Sequence, residues 1–94
     1  MKDENNQPAL PKEKIDSIIA QYSEGHFHEA IDTIKMLNKE YPNVPFLFNI
    51  IGACYKAIGQ LEPATQMFEN AISIKPDYAE AHNNLGIVLK DLGR

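Results

Sequence analysis

The side chains of this sequence that could serve as nucleophile, general base or metal ligand are Cys54, His26, His28 and His82, with thirteen Asp and Glu among them. A catalytic centre needs a nucleophile, a base and an orienting group brought to one point, and no short stretch of the chain gathers them. Cys54 has no second cysteine, so it can form neither an internal disulfide nor the beginning of a cysteine zinc site. His26 and His28 stand two apart at a helix start, where side chains diverge, and no third ligand is near. The glycines do not cluster into a phosphate-cradling loop. The expectation is therefore no catalytic residue, no metal, no cofactor and no enzymatic activity.

The scaffold that holds these residues is small. Ninety-four residues can bury one core, so one domain is expected. Hydrophobic residues at 44% and charged residues at 23% match a globular chain and argue against wholesale disorder. No apolar run approaches the ~20 residues of a spanning helix. A net charge of −4 supplies no attraction for phosphate backbones or anionic lipid, so neither nucleic acid nor membrane is expected as a partner. Met1 to Gln7 is polar and lacks the apolar stretch of a secretory signal, which leaves the cytoplasm as the default compartment. Residues 1–10 are expected to form a disordered tail.

Displacing the sequence by 34 residues aligns Gly25 with Gly59 and Gly93, Ala30 with Ala64, Pro42 with Pro76, and Gly52 with Gly86. Between these markers, apolar residues recur at helical spacing, as in Ile15, Ile18, Ile19 and Tyr22, and strand-like alternation is absent. Gly25, Gly59 and Gly93 each follow an apolar-periodic segment, where a left-handed residue can end a helix. Pro42 and Pro76 follow the second helix of each pair and block its continuation. The pattern predicts helices over Pro11 to Glu24, Phe27 to Tyr41, Pro45 to Ile58, Leu61 to Ile74 and Tyr78 to Leu92. Pro63 falls in the first turn of its helix, where it is tolerated.

A helix–turn–helix unit of this period resembles the tetratricopeptide repeat, whose pattern runs Trp, Leu-Gly, Tyr, Ala, Phe and Pro at set intervals. Residues 45–78 fill its slots with Phe48, Ile51, Gly52, Tyr55, Ala64, Phe68, Ala71 and Pro76. Residues 79–94 begin a further unit with His82, Leu85, Gly86 and Leu89 and supply its first half. Residues 11–44 diverge at Lys14, Ser17, Ile18 and Gln21, then return to the pattern at Ala30, Ile34, Leu37 and Pro42. The resemblance implies an all-α, right-handed solenoid of antiparallel helix hairpins, about two and a half repeats and five helices long. Gly52 and Ala64 should let two helix backbones approach, with Phe48, Tyr55 and Phe68 around the contact. Cys54 shares its slot with Ala20 and Val88, as a small core residue would, and His82 stands at the Trp slot, where a packed aromatic-like role is expected.

The same resemblance implies a protein–protein interaction module whose inner groove, lined by the first helix of each pair, takes a peptide or protein segment. Counted by repeat, the first helices offer Lys12, Ile15, Asp16 and Ile19, then Phe46, then Glu80. The expected binding residues are Asn49, Ile50, Ala53, Lys56, Asn83, Asn84, Ile87 and Lys90. Asn49, Asn83 and Asn84 carry both a donor and an acceptor for a peptide backbone. Family members that clamp a terminal carboxylate use basic residues at slots held here by Ile15, Glu80 and Asn84, so an acidic tail is a poor fit. Asn84 before Leu85 and Gly86 is similar to one rung of the asparagine ladder in O-linked N-acetylglucosamine transferases, which Asp16 and Ile50 interrupt.

Solenoid repeats hide their apolar faces against neighbours. The last helix carries Leu85, Val88, Leu89 and Leu92, which are expected to form a self-association surface giving a homodimer. The alternative is a substrate-recruiting N-terminal fragment of a larger enzyme such as a glycosyltransferase or sulfotransferase.

Overall fold

The computed structural model describes residues 9–94. Most of the expected tail, residues 1–8, lies outside the described residues, while Leu10 packs against the core. Five helices follow in order: α1 (Lys12–Ser23), α2 (Phe27–Glu40), α3 (Pro45–Ala57), α4 (Leu61–Ile74) and α5 (Ala79–Asp91). Each lies within one or two residues of the helix predicted from periodicity, and no strand occurs among the described residues.

The turns within the hairpins are made by backbone geometry. At Gly25, φ is 81°, the Gly25 amide donates to Tyr22 O over 3.1 Å, and the His26 amide reaches back to Gln21 O over 2.8 Å. This pair of bonds is a Schellman cap, which satisfies carbonyls that a helix end leaves unpaired. Gly59 (φ 84°) and Gly93 (φ 82°) repeat it, with Gln60 bonding to Tyr55 O and Arg94 to Leu89 O. By contrast, no helix has a side-chain N-cap bond. The helices are held by their neighbours more than by their own ends, as expected for short helices in water.

Each helix packs on the next, most extensively α3 on α4, and α3 also meets α5. The result is an elongated body of 48 × 28 × 18 Å, an all-α solenoid of helix hairpins. Its core falls into two clusters. The larger runs through Ile18, Ala30, Ile31, Ile34, Leu37, Leu47, Ile50, Ile51 and Cys54. The smaller joins Ala64 and Phe68 of α4 to Val88 of α5, with Leu61, Leu85 and Leu92 beside it. Tyr55 touches both and ties the hairpins together.

Gly52 shows why the α3–α4 seam is close. A Cβ at this position would lie 2.6 Å from Cε1 of Phe68, whose side chain is fully buried and has nowhere to retreat. In the preceding repeat the same two slots are filled by Ile18 and Ile34, both enclosed in the larger cluster. A glycine with a phenylalanine in one hairpin is thus exchanged for two isoleucines in the other, sharing the volume differently between the facing helices.

Candidate functional site

The first helices α1, α3 and α5 form one face of the solenoid, and the structure divides the residues expected there into two groups. Ile19 (43% exposed) and Ile87 (39%) present large apolar surface to solvent, and so does Tyr22 (37%), which was not among the residues expected in the groove. Ile19, Ala53 and Ile87 occupy the same slot in successive repeats, so a row of apolar side chains runs across the three helices, lowest in the middle. Tyr22 is steadied by an edge-on contact with Phe27, ring centroids 5.5 Å apart. Asn83 and Lys90 are exposed beside the row, and Ala53 and Lys56 are half-buried within it. At its outer edge Lys12 donates to Asp16 Oδ2 over 2.8 Å, and this partner raises the lysine pKa.

Three of the expected binding residues belong to the interior instead. Asn49 is 8% exposed, and its Oδ1 accepts a 3.1 Å hydrogen bond from Asn84 Nδ2. The bond joins α3 to α5, and Asn84 is itself half-buried. Asn49 also faces the Tyr78 hydroxyl, whose pKa is raised chiefly by burial, further by the charge of Glu80, and lowered in part by Asn49. The carbonyl end of this amide is therefore engaged within the fold, and a peptide backbone would have to displace Asn84 to use it. Ile50, 9% exposed, packs in the larger core cluster, where residues of α1, α2 and α3 meet. Among the residues expected to self-associate, Val88 is fully buried against Ala64 and Phe68, since α5 turns that side toward α4. Leu85 and Leu92 flank the same cluster, and Leu89 is half-buried.

Other side chains singled out by their chemistry are also placed. Cys54 is enclosed, and burial pushes its thiol up to about 11, so it is a neutral core group at ordinary pH. His82 is exposed, where packing was expected; its Nε2 lies 2.7 Å from Pro76 O, fastening the start of α5 to the turn before it. His26 stands among Glu24 and Glu29 at 3.7 and 3.5 Å on the open surface. Among the described residues no group of three or more His, Cys, Asp and Glu could hold a metal ion, and no helix is long and apolar enough to cross a membrane.

Sequence reasoning did not single out the opposite face of α3. There Ile34, Lys35, Asn38, Leu47, Phe48, Ile51, Tyr55 and Met67 line a cleft of ≈ 220 Å³ between α2, α3 and α4. Its signal was present in the repeat register, where Ile34 stands in the slot that the following repeat gives to Phe68.

Comparison with known proteins agrees with this architecture. Residues 52–93 match the family model described as TPR repeat. The crystal structure of the Sgt2 TPR domain from Aspergillus fumigatus superposes with a TM-score of 0.82 at 26% identity, covering 90% of this chain and 58% of that one. The chain belongs to the tetratricopeptide-repeat family. Among curated relatives, Protein CTR9 homolog of Arabidopsis thaliana is 31% identical over 85 residues, which is 89% of this chain and 7% of that protein. The peroxisomal targeting signal receptor of Candida glabrata is 28% identical over 72 residues, 77% of this chain and 12% of that protein. The chain thus spans a small part of the length of either relative. As a tetratricopeptide-repeat unit, it is a protein-interaction module.

Proposed function

We propose that this module binds an extended, partly apolar peptide segment across the face formed by α1, α3 and α5. The observation that carries the reading is the exposed row of Ile19, Tyr22 and Ile87, large apolar side chains that helix packing leaves uncovered on one face. Ala53 at its centre leaves room for a ligand side chain, and Asn83 supplies a free amide for a peptide backbone. Lys56 and Lys90 stand one slot further along their helices and favour a segment bearing acidic groups between its apolar ones. One relative is named as a targeting-signal receptor, which is consistent with recognition of a short peptide. The repeats divide at 11–44, 45–78 and 79–94 in this reading, each first helix contributing one rung of the row.

The test is selection of binders from a displayed random peptide library, followed by affinity measurements on two variants. Ile87→Glu should weaken the selected peptides at least about tenfold, because it places a charge where an apolar contact forms, while Met36→Glu on the outer side of α2 should leave them unchanged. Equal loss in both variants, or none in either, would remove the groove as the site.

A second feature supports self-association. Gly86 repeats the slot of Gly52, yet a Cβ there would meet nothing within 4 Å, whereas at Gly52 it would strike Phe68. The close-packing slot on α5 is therefore open, with Leu89 half-buried nearby. A second copy laid against this side would cover it. Sedimentation across a wide concentration range should show a dimer that Leu89→Lys dissociates; a concentration-independent monomer would dismiss it. The same groove would serve equally in a recruiting segment of a longer enzyme.

A further inference from the structure

We propose that the segment bound in the groove crosses α1, α3 and α5 as a left-handed polyproline II helix, with an apolar residue at every third position and an acidic residue once in each triplet. This rests on the groove reading above and adds the conformation and spacing of the ligand. Two parallel rows run across the groove. Ile19, Ala53 and Ile87 share one repeat slot, and Tyr22, Lys56 and Lys90 share another, three residues further along the same helices and so about 4.5 Å on.

The distance between helices selects the conformation. α3 and α5 pack directly and share the Asn84–Asn49 hydrogen bond, while α1 and α3 both pack on α2. Helices packed side by side lie roughly 8–10 Å apart, so a crossing ligand meets one position of each row at about that interval. Three residues of polyproline II advance about 9.3 Å and return to the same side of the segment, which sets one side chain per triplet on each helix in turn. A strand returns after about 6.8 Å and loses step by the third helix. An α-helix returns after about 5.4 Å and leaves alternate turns of its apolar stripe between the helices.

Charge selects the second residue of the triplet. Among the described residues neither Lys56 nor Lys90 forms an ion pair, whereas Lys12 at the groove's edge is taken by Asp16. An acidic side chain on the flank adjoining the apolar one meets these two ammonium groups, and the third side of the segment stays in water. Tyr22 begins this row as an exposed ring held edge-on by Phe27, a surface of the aromatic kind on which polyproline II segments dock. The polyproline II backbone has no internal hydrogen bonds, so its carbonyls are open to the exposed amide of Asn83.

Two capped peptides of one composition separate spacing from composition. One is a threefold repeat of Leu-Pro-Glu, in which proline sets the conformation of every triplet; the other is an isomer with its leucines at alternate positions. Each is titrated against the isotopically labelled chain and followed by amide chemical shifts. The triplet peptide is expected to give saturable shifts centred on Ala53, Lys56, Ile87 and Lys90, and to bind at least about fivefold more tightly than the isomer, which loses an apolar contact. Lys90→Glu should weaken the triplet peptide and strengthen a threefold repeat of Leu-Pro-Lys, an exchange that damage to the fold does not produce. Equal affinity of the two isomers, no saturable shift up to the solubility limit of the triplet peptide, or an unchanged charge preference in Lys90→Glu would overturn the proposal. The groove itself is judged separately, by whether binders taken from the random library lose affinity in Ile87→Glu. Binders that do so, yet carry their apolar residues at alternate positions or turn helical when bound, would keep the groove and dismiss the polyproline II ligand.

Discussion

Asn84 Nδ2 donates to Asn49 Oδ1 over 3.1 Å, linking the first helices of two successive repeats across 35 positions of sequence. The side chains come from slots that in a solenoid could equally face a ligand. Here they face each other, and the burial of Asn49 means that the bond is shielded from water. It fixes how α5 sits on α3, and with it the spacing between Ala53 and Ile87 in the groove.

Breaking this bond leaves a buried amide without its partner. Asn84→Ala is expected to destabilise by about 1–3 kcal/mol, the cost of an unsatisfied buried group. Replacing both residues, as in Asn49→Leu with Asn84→Leu, should cost less than the sum of the single changes. Urea unfolding of the four species would measure the coupling; additive losses would mean that the two amides act independently.

The two repeat glycines should respond oppositely to the same substitution. Gly52→Ala forces a methyl toward the enclosed ring of Phe68 and is expected to cost about 1–3 kcal/mol. Gly86→Ala meets open space inside a helix and is expected to gain about 0.5–1 kcal/mol. Thermal melts of the two variants decide it. Loss of stability at Gly86 instead would show that this side is covered in solution.

The Gly52–Phe68 pair offers a further check on how volume is shared. Phe68→Ile alone leaves a void beside Gly52, and Gly52→Ile alone overpacks, each by an amount on the order of 1–3 kcal/mol. Together they reproduce the Ile18 and Ile34 combination of the first repeat. The double variant should recover a substantial part of the loss, read as a non-additive free energy of unfolding.

Cys54 predicts a fall in stability at high pH. Its thiol is held up to about 11 in the fold, against 9.0 for an ordinary thiol. Below the lower value both states keep the proton and the thiol makes no pH-dependent difference. Between the two values the unfolded chain releases its proton while the folded chain retains it, so unfolding becomes progressively favoured with rising pH. The melting temperature of Cys54→Ala should be less sensitive to pH across this window than that of the unaltered chain. Reaction with a disulfide reagent should be slow in buffer and immediate in denaturant; fast reaction under native conditions would contradict the enclosure of the thiol.

Much of this protein is legible from sequence because much of its structure is local. Helix lengths, the left-handed glycines at positions 25, 59 and 93, and the prolines after α2 and α4 follow from backbone preferences that act over a few residues. The 34-residue recurrence then orders those elements into hairpins, since each must cover the apolar side of its neighbour. Tertiary structure decided which polar and apolar residues near the boundary of a face are used up inside. Asn49 and Asn84 became a mutual pair, Ile50 and Val88 turned inward, and His82 stayed at the surface. Periodicity assigns a residue to one side of a helix, but it does not state how far the adjacent helix extends over that side. That depends on the sizes of distant partners such as Gly52 with Phe68, or Ile18 with Ile34, which set how closely two helices approach. The cleft beside Asn38 has the same origin, for it exists only once α2, α3 and α4 have taken their places around it.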